Sequence, residues 1–242
     1  MSKYYDLHVH TNQSSGANSV EEMAKTAEKF GWDGIAVCDH FQDMVKFKQQ
    51  QSAIKTAQKN SGIEIFSGTE IQPKNQNELG RLVSKIREHV QILVAHGGDY
   101  NVNRAACQNP KVDILAHPEL GRTDCGLDEF CLAQARENNV AIQINFREIL
   151  EGYRKPRVFI LSHIAENIRL AQELKAPVVA CSAAQSIWDV RDPRALASIA
   201  NVLGMELGDA INTVSEIPEK IVETNKAKLS GKAPVKGVEI VE

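Results

Sequence analysis

Seven short runs of apolar, β-favouring residues recur along the 242-residue chain, at 4–10, 34–39, 64–70, 91–96, 113–117, 141–146 and 177–182. Each is separated from the next by a longer stretch with helical spacing. Strands that alternate with helices run parallel, because each helical crossover returns the chain to the same end of the sheet. The runs read as buried on both faces rather than cleanly amphipathic, as strands covered on both sides do. A closed or nearly closed barrel fits this pattern best. An open doubly wound sheet would give the same alternation, but no Gly-x-Gly-x-x-Gly follows the first run to mark a nucleotide fold.

The helical stretches lie at 19–30, 47–60, 81–88, 102–107, 128–138, 158–174 and 193–203. The first opens on Ser19-Val20-Glu21-Glu22, a capping box, and Gly31 is placed to stop it. Beyond 203, short helices are expected around Gly208 and over 218–228. Gly231, Pro234 and Gly237 make 229–242 a flexible tail. The expected organisation is one barrel over 1–205, a helical extension over 206–228, and the tail.

Net charge is −3 and the isoelectric point about 6.2, which argues against a free-standing nucleic-acid binder. Any RNA role then needs a local patch or a partner. Five cysteines, odd in number and without a Cys-x-x-Cys pair, read as reduced thiols. No apolar run approaches the length of a membrane span and no apolar leader follows Met1, so a soluble, cytoplasmic protein with no membrane partner is expected.

In a βα barrel the working face lies at the carboxyl ends of the strands. Here the runs end almost one by one in metal-ligand residue types: His8 and His10, then Asp39-His40, Glu70, His96 and His117-Pro118. If 6–10 is a strand, Asp6, His8 and His10 share one face and Leu7 and Val9 the other. Two imidazoles side by side can bind one ion, although barrel-interior histidines that merely hydrogen-bond would look the same. Five of the seven histidines belong to this series. His89 and His163 fall on helices.

Asp-Leu-His-Val-His-Thr, Cys-Asp-His, Gly-Thr-Glu, the lone His96 and Ala-His-Pro, in this order, resemble the polymerase-and-histidinol-phosphatase (PHP) superfamily of metal-dependent phosphoesterases. The resemblance implies a distorted, TIM-like α/β barrel of about seven parallel strands with a trinuclear metal site. Two departures stand out: Ser15 replaces a usual Asp, and Ser182-Ala183-Ala184-Gln185 replaces a usual Ser-Asp-x-His. Carried over by position, one pocket keeps Glu70, His96 and His117. A second keeps His8, His10 and Glu70 but lacks its terminal Asp, and a third, beside Asp39, retains only His40. A phosphoesterase needs its metals to activate water and neutralise phosphoryl oxygens, so a depleted cluster loses hydrolysis before it loses all metal affinity. Residual Zn²⁺ or Mn²⁺ is the expectation, with no required cofactor and no catalytic residue.

The second half narrows the resemblance. Asn145-Phe146-Arg147-Glu148-Ile149-Leu150, Asn167-Ile168-Arg169-Leu170-Ala171, Cys181-Ser182-Ala183 and Asp189-Val190-Arg191-Asp192-Pro193-Arg194, with Gly31-Trp32-Asp33-Gly34 earlier, are similar to the ribonuclease P protein component 3 family. That family is the archaeal counterpart of the thirty-kilodalton eukaryotic subunit. The resemblance implies a subunit that supports a catalytic RNA in removing the 5′ leader of precursor tRNA, with ribonuclease P RNA and component 2 as partners and the substrate contacted indirectly. The alternatives are a free-standing PHP-type phosphoesterase and a scaffold without metal or RNA. Between 147 and 194 there are eight Lys/Arg against six Asp/Glu. Arg147, Arg191 and Arg194 follow strand ends and are the expected RNA or partner contacts. Trp188 joins them as an interface residue or sits buried at the barrel rim.

Overall fold

The structure is a computed structural model that describes residues 2–230. The tail expected at 229–242 lies almost wholly outside the described residues. Seven parallel strands form one sheet in chain order: β1 (Tyr5–Val9), β2 (Gly34–Val37), β3 (Glu64–Ile71), β4 (Ile92–His96), β5 (Ile114–Ala116), β6 (Ala141–Asn145) and β7 (Val178–Cys181). The crossovers are α1 (Val20–Lys29), α2 (Met44–Gln58), α3 (Gln76–Ile86), α4 (Tyr100–Cys107), α5 (Glu129–Asn138), and α6 (Phe146–Glu151) with α7 (Lys155–Leu174). After β7 come α8 (Pro193–Val202), α9 (Leu207–Asn212) and α10 (Glu216–Leu229).

Each strand turns one face to the helices and one to the barrel interior. Ile35, Leu93, Leu115, Ile142 and Val178 pack outward in the large core, while Tyr5, Leu7, Phe66, Ile92, Ile114 and Val179 fill the inside. The interior is tight: a Cβ on Gly68 would lie 2.4 Å from the Cys38 sulfur. Val222 of α10 packs with the interior set, backed by Ile217 and Ile221. Asn225 donates to the Asp113 carboxylate and the Gln91 carbonyl, both at 2.8 Å, and Lys226 reaches Glu64 at 2.6 Å. All three acceptors lie at the amino ends of strands. The helix expected as an extension is therefore the plug of the barrel's amino-terminal end.

Closure differs from the six ladders between consecutive strands. Among the described residues, β1 meets the segment just after β7 through a single parallel bridge, Val9 with Ala184, and the His10 amide donates to the Ala184 carbonyl at 2.8 Å. The buried Asp6 carboxylate adds contacts to the Ser182 amide at 3.2 and 3.3 Å. Burial pushes the Asp6 carboxyl up to about 6 despite these donors.

The capping box forms as read, with the Glu22 amide on the Ser19 hydroxyl and the Ser19 amide on the Glu22 carboxylate. Gly31 follows at φ +86°, where a Cβ is disfavoured. Three helices start earlier than their apolar periodicity indicates, because Asp43, Asn75 and Asp99 cap amides of the first turn. The short α6, unexpected from the sequence, is nucleated the same way by Asn145, whose side chain accepts from the Glu148 amide.

Candidate metal centre at the carboxyl face

Glu70 ends up at the middle of five imidazoles. On β2, β3 and β4, strict alternation along the interior face carries Ala36, Phe66 and Ile92 to His40, Glu70 and His96 at the open end. On β1 the register shifts between Asp6 and Val9, a bulge-type irregularity. Tyr5 and Leu7 face the interior below it, and His8 and His10 converge on Glu70 above it, while Val9 packs outward. Leu7 and Val9 therefore do not share a face, contrary to simple alternation. His117 also breaks the period: its φ of 54° lets it turn inward directly after the inward Ala116.

One Glu70 oxygen lies 3.8 Å from Nε2 of both His8 and His10 and 2.7 Å from His40 Nε2; the other lies 2.9 Å from His96 Nδ1 and 3.7 Å from His117 Nε2. Burial alone would raise the Glu70 carboxyl, but the His40, His8 and His96 contacts outweigh it and hold it well below the usual carboxylate range. Burial also opposes charge on His8, yet Glu70 and Gln143 raise its basicity above that of a free imidazole. His10, buried beside the His8 charge, is held well below the usual value. The two Nε2 atoms are 3.1 Å apart, and Gln143 fixes the other His8 nitrogen at 2.9 Å.

Two triads have ligand atoms within 4.8 Å of one another: His8, His10 and Glu70, and Glu70, His96 and His117. Mixed imidazole and carboxylate donors suit Zn²⁺ or Mn²⁺, so the residues present fit such an ion. Asp39 does not join them. Its oxygens accept from the Thr11 amide and hydroxyl, at 2.7 and 2.6 Å, and from the Ser14 hydroxyl at 2.6 Å, so it ties down the loop after β1. His40 touches Glu70 but belongs to neither triad. The chain beyond β7 brings Ala183 and Ala184, so no carboxylate reaches the cluster from that side.

The chain matches the family described as RNase P subunit p30 over residues 3–230. It is 36% identical to ribonuclease P protein component 3 of Methanosarcina mazei over 241 residues, 99% of this chain and 96% of that one. The chain belongs to the RNase P subunit p30 family. A chain in the cryo-EM structure of archaeal ribonuclease P with mature tRNA is similar, with a TM-score of 0.83 and 26% identity over 98% of both chains. The zinc-bound histidinol phosphate phosphatase of Lactococcus lactis shares the fold, with a TM-score of 0.58 at 12% identity over 84% of this chain and 95% of that one.

This p30-family chain also carries site residues outside the histidine and carboxylate series of its strand ends. Glu148 on α6 meets His117 Nδ1 through a short contact, and Asn145 Nδ2 lies 3.2 Å from His117 Nε2. Glu119 is buried nearby with neither oxygen hydrogen-bonded; burial and the adjacent Glu148 charge push its carboxyl well above the usual range. Glu148 sits one turn into a helix whose signal was Asn145 followed three residues later by an acid, the outline of a capping motif.

The arginines expected to face a partner differ in availability. Arg147 is bound by Asp189, at 2.9 Å, and by Glu151. It links α6 to the loop after β7. Arg191 donates to the carbonyls of Trp188 and Val190, at 2.8 and 2.9 Å, and lies over the Phe146 ring. Arg194 is exposed, and Trp188, 82% exposed, is not a buried rim residue. No described helix is long and apolar enough to cross a membrane.

Proposed function

We propose that this chain is a protein subunit of ribonuclease P, supporting the catalytic RNA in removing the 5′ leader from precursor tRNA, without hydrolytic activity of its own. The observation that carries this is the end-to-end relationship, covering the barrel, the α10 plug and the depleted cluster alike, to proteins named as component 3 and to a chain of the archaeal holoenzyme. The cluster supports the second half of the reading. Ala183 and Gln185 stand where a phosphoesterase of this superfamily presents an acid and an imidazole, so the means to activate water and neutralise a phosphoryl group is incomplete.

Glu70, His96 and His117, the more accessible triad, would hold a Zn²⁺ or Mn²⁺ ion. When bound, such an ion is a Lewis acid; in this chain its role is to tie β3, β4 and β5 together at the open end. The partner surface is the loop after β7, where exposed Trp188 stands beside Arg191 and Arg194, and the partner is component 2. A chain of net charge −3 gains little from RNA on its own, so two modest surfaces act together.

Reconstitution with catalytic RNA and component 2, read as precursor-tRNA cleavage at low and high magnesium, tests the assignment. Wild type is expected to stimulate cleavage, and Arg191→Ala with Arg194→Ala to lose much of the gain. No stimulation by wild type sinks the function. A double variant equal to wild type sinks only the surface. Metal-dependent hydrolysis of an aryl phosphate by the isolated protein, lost in His117→Ala, would instead establish a phosphoesterase.

A further inference from the structure

The elbow between α6 and α7 exposes two aromatic rings and three cations within one run of consecutive residues. Seven residues in succession, 153–159, are exposed: Tyr153, Arg154, Lys155, Pro156, Arg157, Val158 and Phe159. Tyr153 is 67% and Phe159 53% exposed, values at odds with a water-facing loop of no further use. No Asp or Glu occurs between Glu151 and Glu166.

The cations here differ from five of the eleven arginines of the chain. Arg81, Arg87, Arg122, Arg147 and Arg169 each lie against a carboxylate. At the elbow no carboxylate of the described residues lies within ion-pair distance of Arg154, Lys155 or Arg157. Arg157 donates only to the carbonyls of Gly152, at 2.5 Å, and Leu150, at 3.2 Å, and so braces the turn while keeping its charge. Arg154 lies over the Tyr153 ring, 5.0 Å from its centre, held there by a backbone at φ 54° and ψ −123° that a non-glycine residue rarely adopts. Phe159 stacks with His163, ring centres 6.4 Å apart. Because α6 starts at the carboxyl end of β6, the elbow belongs to the same end of the barrel as Glu70.

An acidic protein that keeps three charges unpaired among exposed rings has the complement of a flexible polyanion with stackable faces. We infer that the elbow binds a single-stranded segment of RNA, with Tyr153 and Phe159 stacking on bases and Arg154 and Lys155 contacting phosphates. This rests on the ribonuclease P reading and names one surface by which the chain meets the RNA. It is separate from the component 2 surface proposed at Trp188, Arg191 and Arg194.

The probe is a short fluorescein-labelled oligouridine, titrated with full-length protein across a salt series, with circular dichroism confirming that each variant is folded. Wild type is expected to bind weakly, with affinity falling as salt rises. Arg154→Ala with Lys155→Ala should reduce the slope of log K against log salt by about 1.4, the loss of two phosphate contacts to a single strand. Tyr153→Ala with Phe159→Ala should leave the slope unchanged and weaken binding by about thirtyfold or more. Arg169→Ala, on the same helix but already paired with Glu166 and Glu173, should alter neither. Absence of binding by wild type, or a slope and affinity indifferent to both double variants, overturns the inference. So does loss of component 2 capture by the elbow variants with oligouridine binding intact, which would make the elbow a protein interface. In the reconstituted enzyme, failure of wild type to stimulate cleavage strikes the function itself, whereas stimulation that both elbow variants match strikes the elbow alone.

Discussion

On one side of Glu70, His8 and His10 are sealed inside the barrel, their approach set by a register shift in β1 and their floor by Gln143. On the other, His96 and His117 keep 24% and 13% of their side-chain surface open, and His117 is backed by Asn145 at the end of β6 and Glu148 of α6. The same carboxylate serves both triads. Beyond β7, on the side of the inner triad, this chain has alanines, whereas the outer triad draws support from β6 and α6.

The largest effect expected is from Glu70→Ala, which removes the hub of both triads and leaves buried imidazoles without their anion. Breaking a buried pair from one side typically costs about 3–5 kcal/mol. Urea denaturation should show a loss of this size, and elemental analysis of protein purified without chelator should show metal content falling to background. Metal content equal to wild type would mean that neither triad binds.

Second in size is a pH effect at the seam that positions the inner triad. Asp6 has its carboxyl raised to about 6 in the folded chain against an ordinary value of 3.8. A raised acid destabilises the fold where it is ionised, so this cost is full above pH 6 and vanishes below about pH 4. Wild type should therefore gain up to about 3 kcal/mol relative to Asp6→Asn as pH falls from 7 to 4. A difference between the two that is flat across this range would show that the seam does not hold a strained carboxyl.

Glu148→Gln should separate the triads. Loss of a carboxylate behind a ligating imidazole typically lowers metal affinity 10–100-fold, so Zn²⁺ titration against a competing chelator should weaken in this variant and little in His10→Ala. The reverse ranking would place the ion in the inner triad. The smallest effect is assigned to His40→Ala. His40 touches Glu70 but completes neither triad, so metal content should stay near wild type with a stability loss of about 1 kcal/mol.

Alternation of apolar runs gives the seven strands and their parallel sense, and the polar residues at their ends give the five histidines and Glu70, because a barrel collects strand ends in one place. What escaped were departures from period two. A register shift turns His8 and His10 inward together with Leu7, and a positive φ turns His117 inward after Ala116; neither leaves a mark in residue type. Asp39 occupies a strand end like its neighbours, but hydroxyls at Thr11 and Ser14 compete for it. Glu148 was obscured because a helix of six residues is too short for periodicity to announce. Arg147 has the composition of a partner contact, yet its acids, Asp189 and Glu151, come from a loop and a helix that only the fold brings to it.

The α10 plug has a consequence for the order in which the protein can be made. Tyr5, Leu7 and Phe66, near the start of the chain, wait for Val222 near the other end to cover them, and the seam waits for Ser182 and Ala184. A ribosome delivers these residues after all seven strands. Until then the growing barrel has an uncovered floor and an unmatched first strand, so the closed form with its histidines gathered around Glu70 assembles only once α10 has been made.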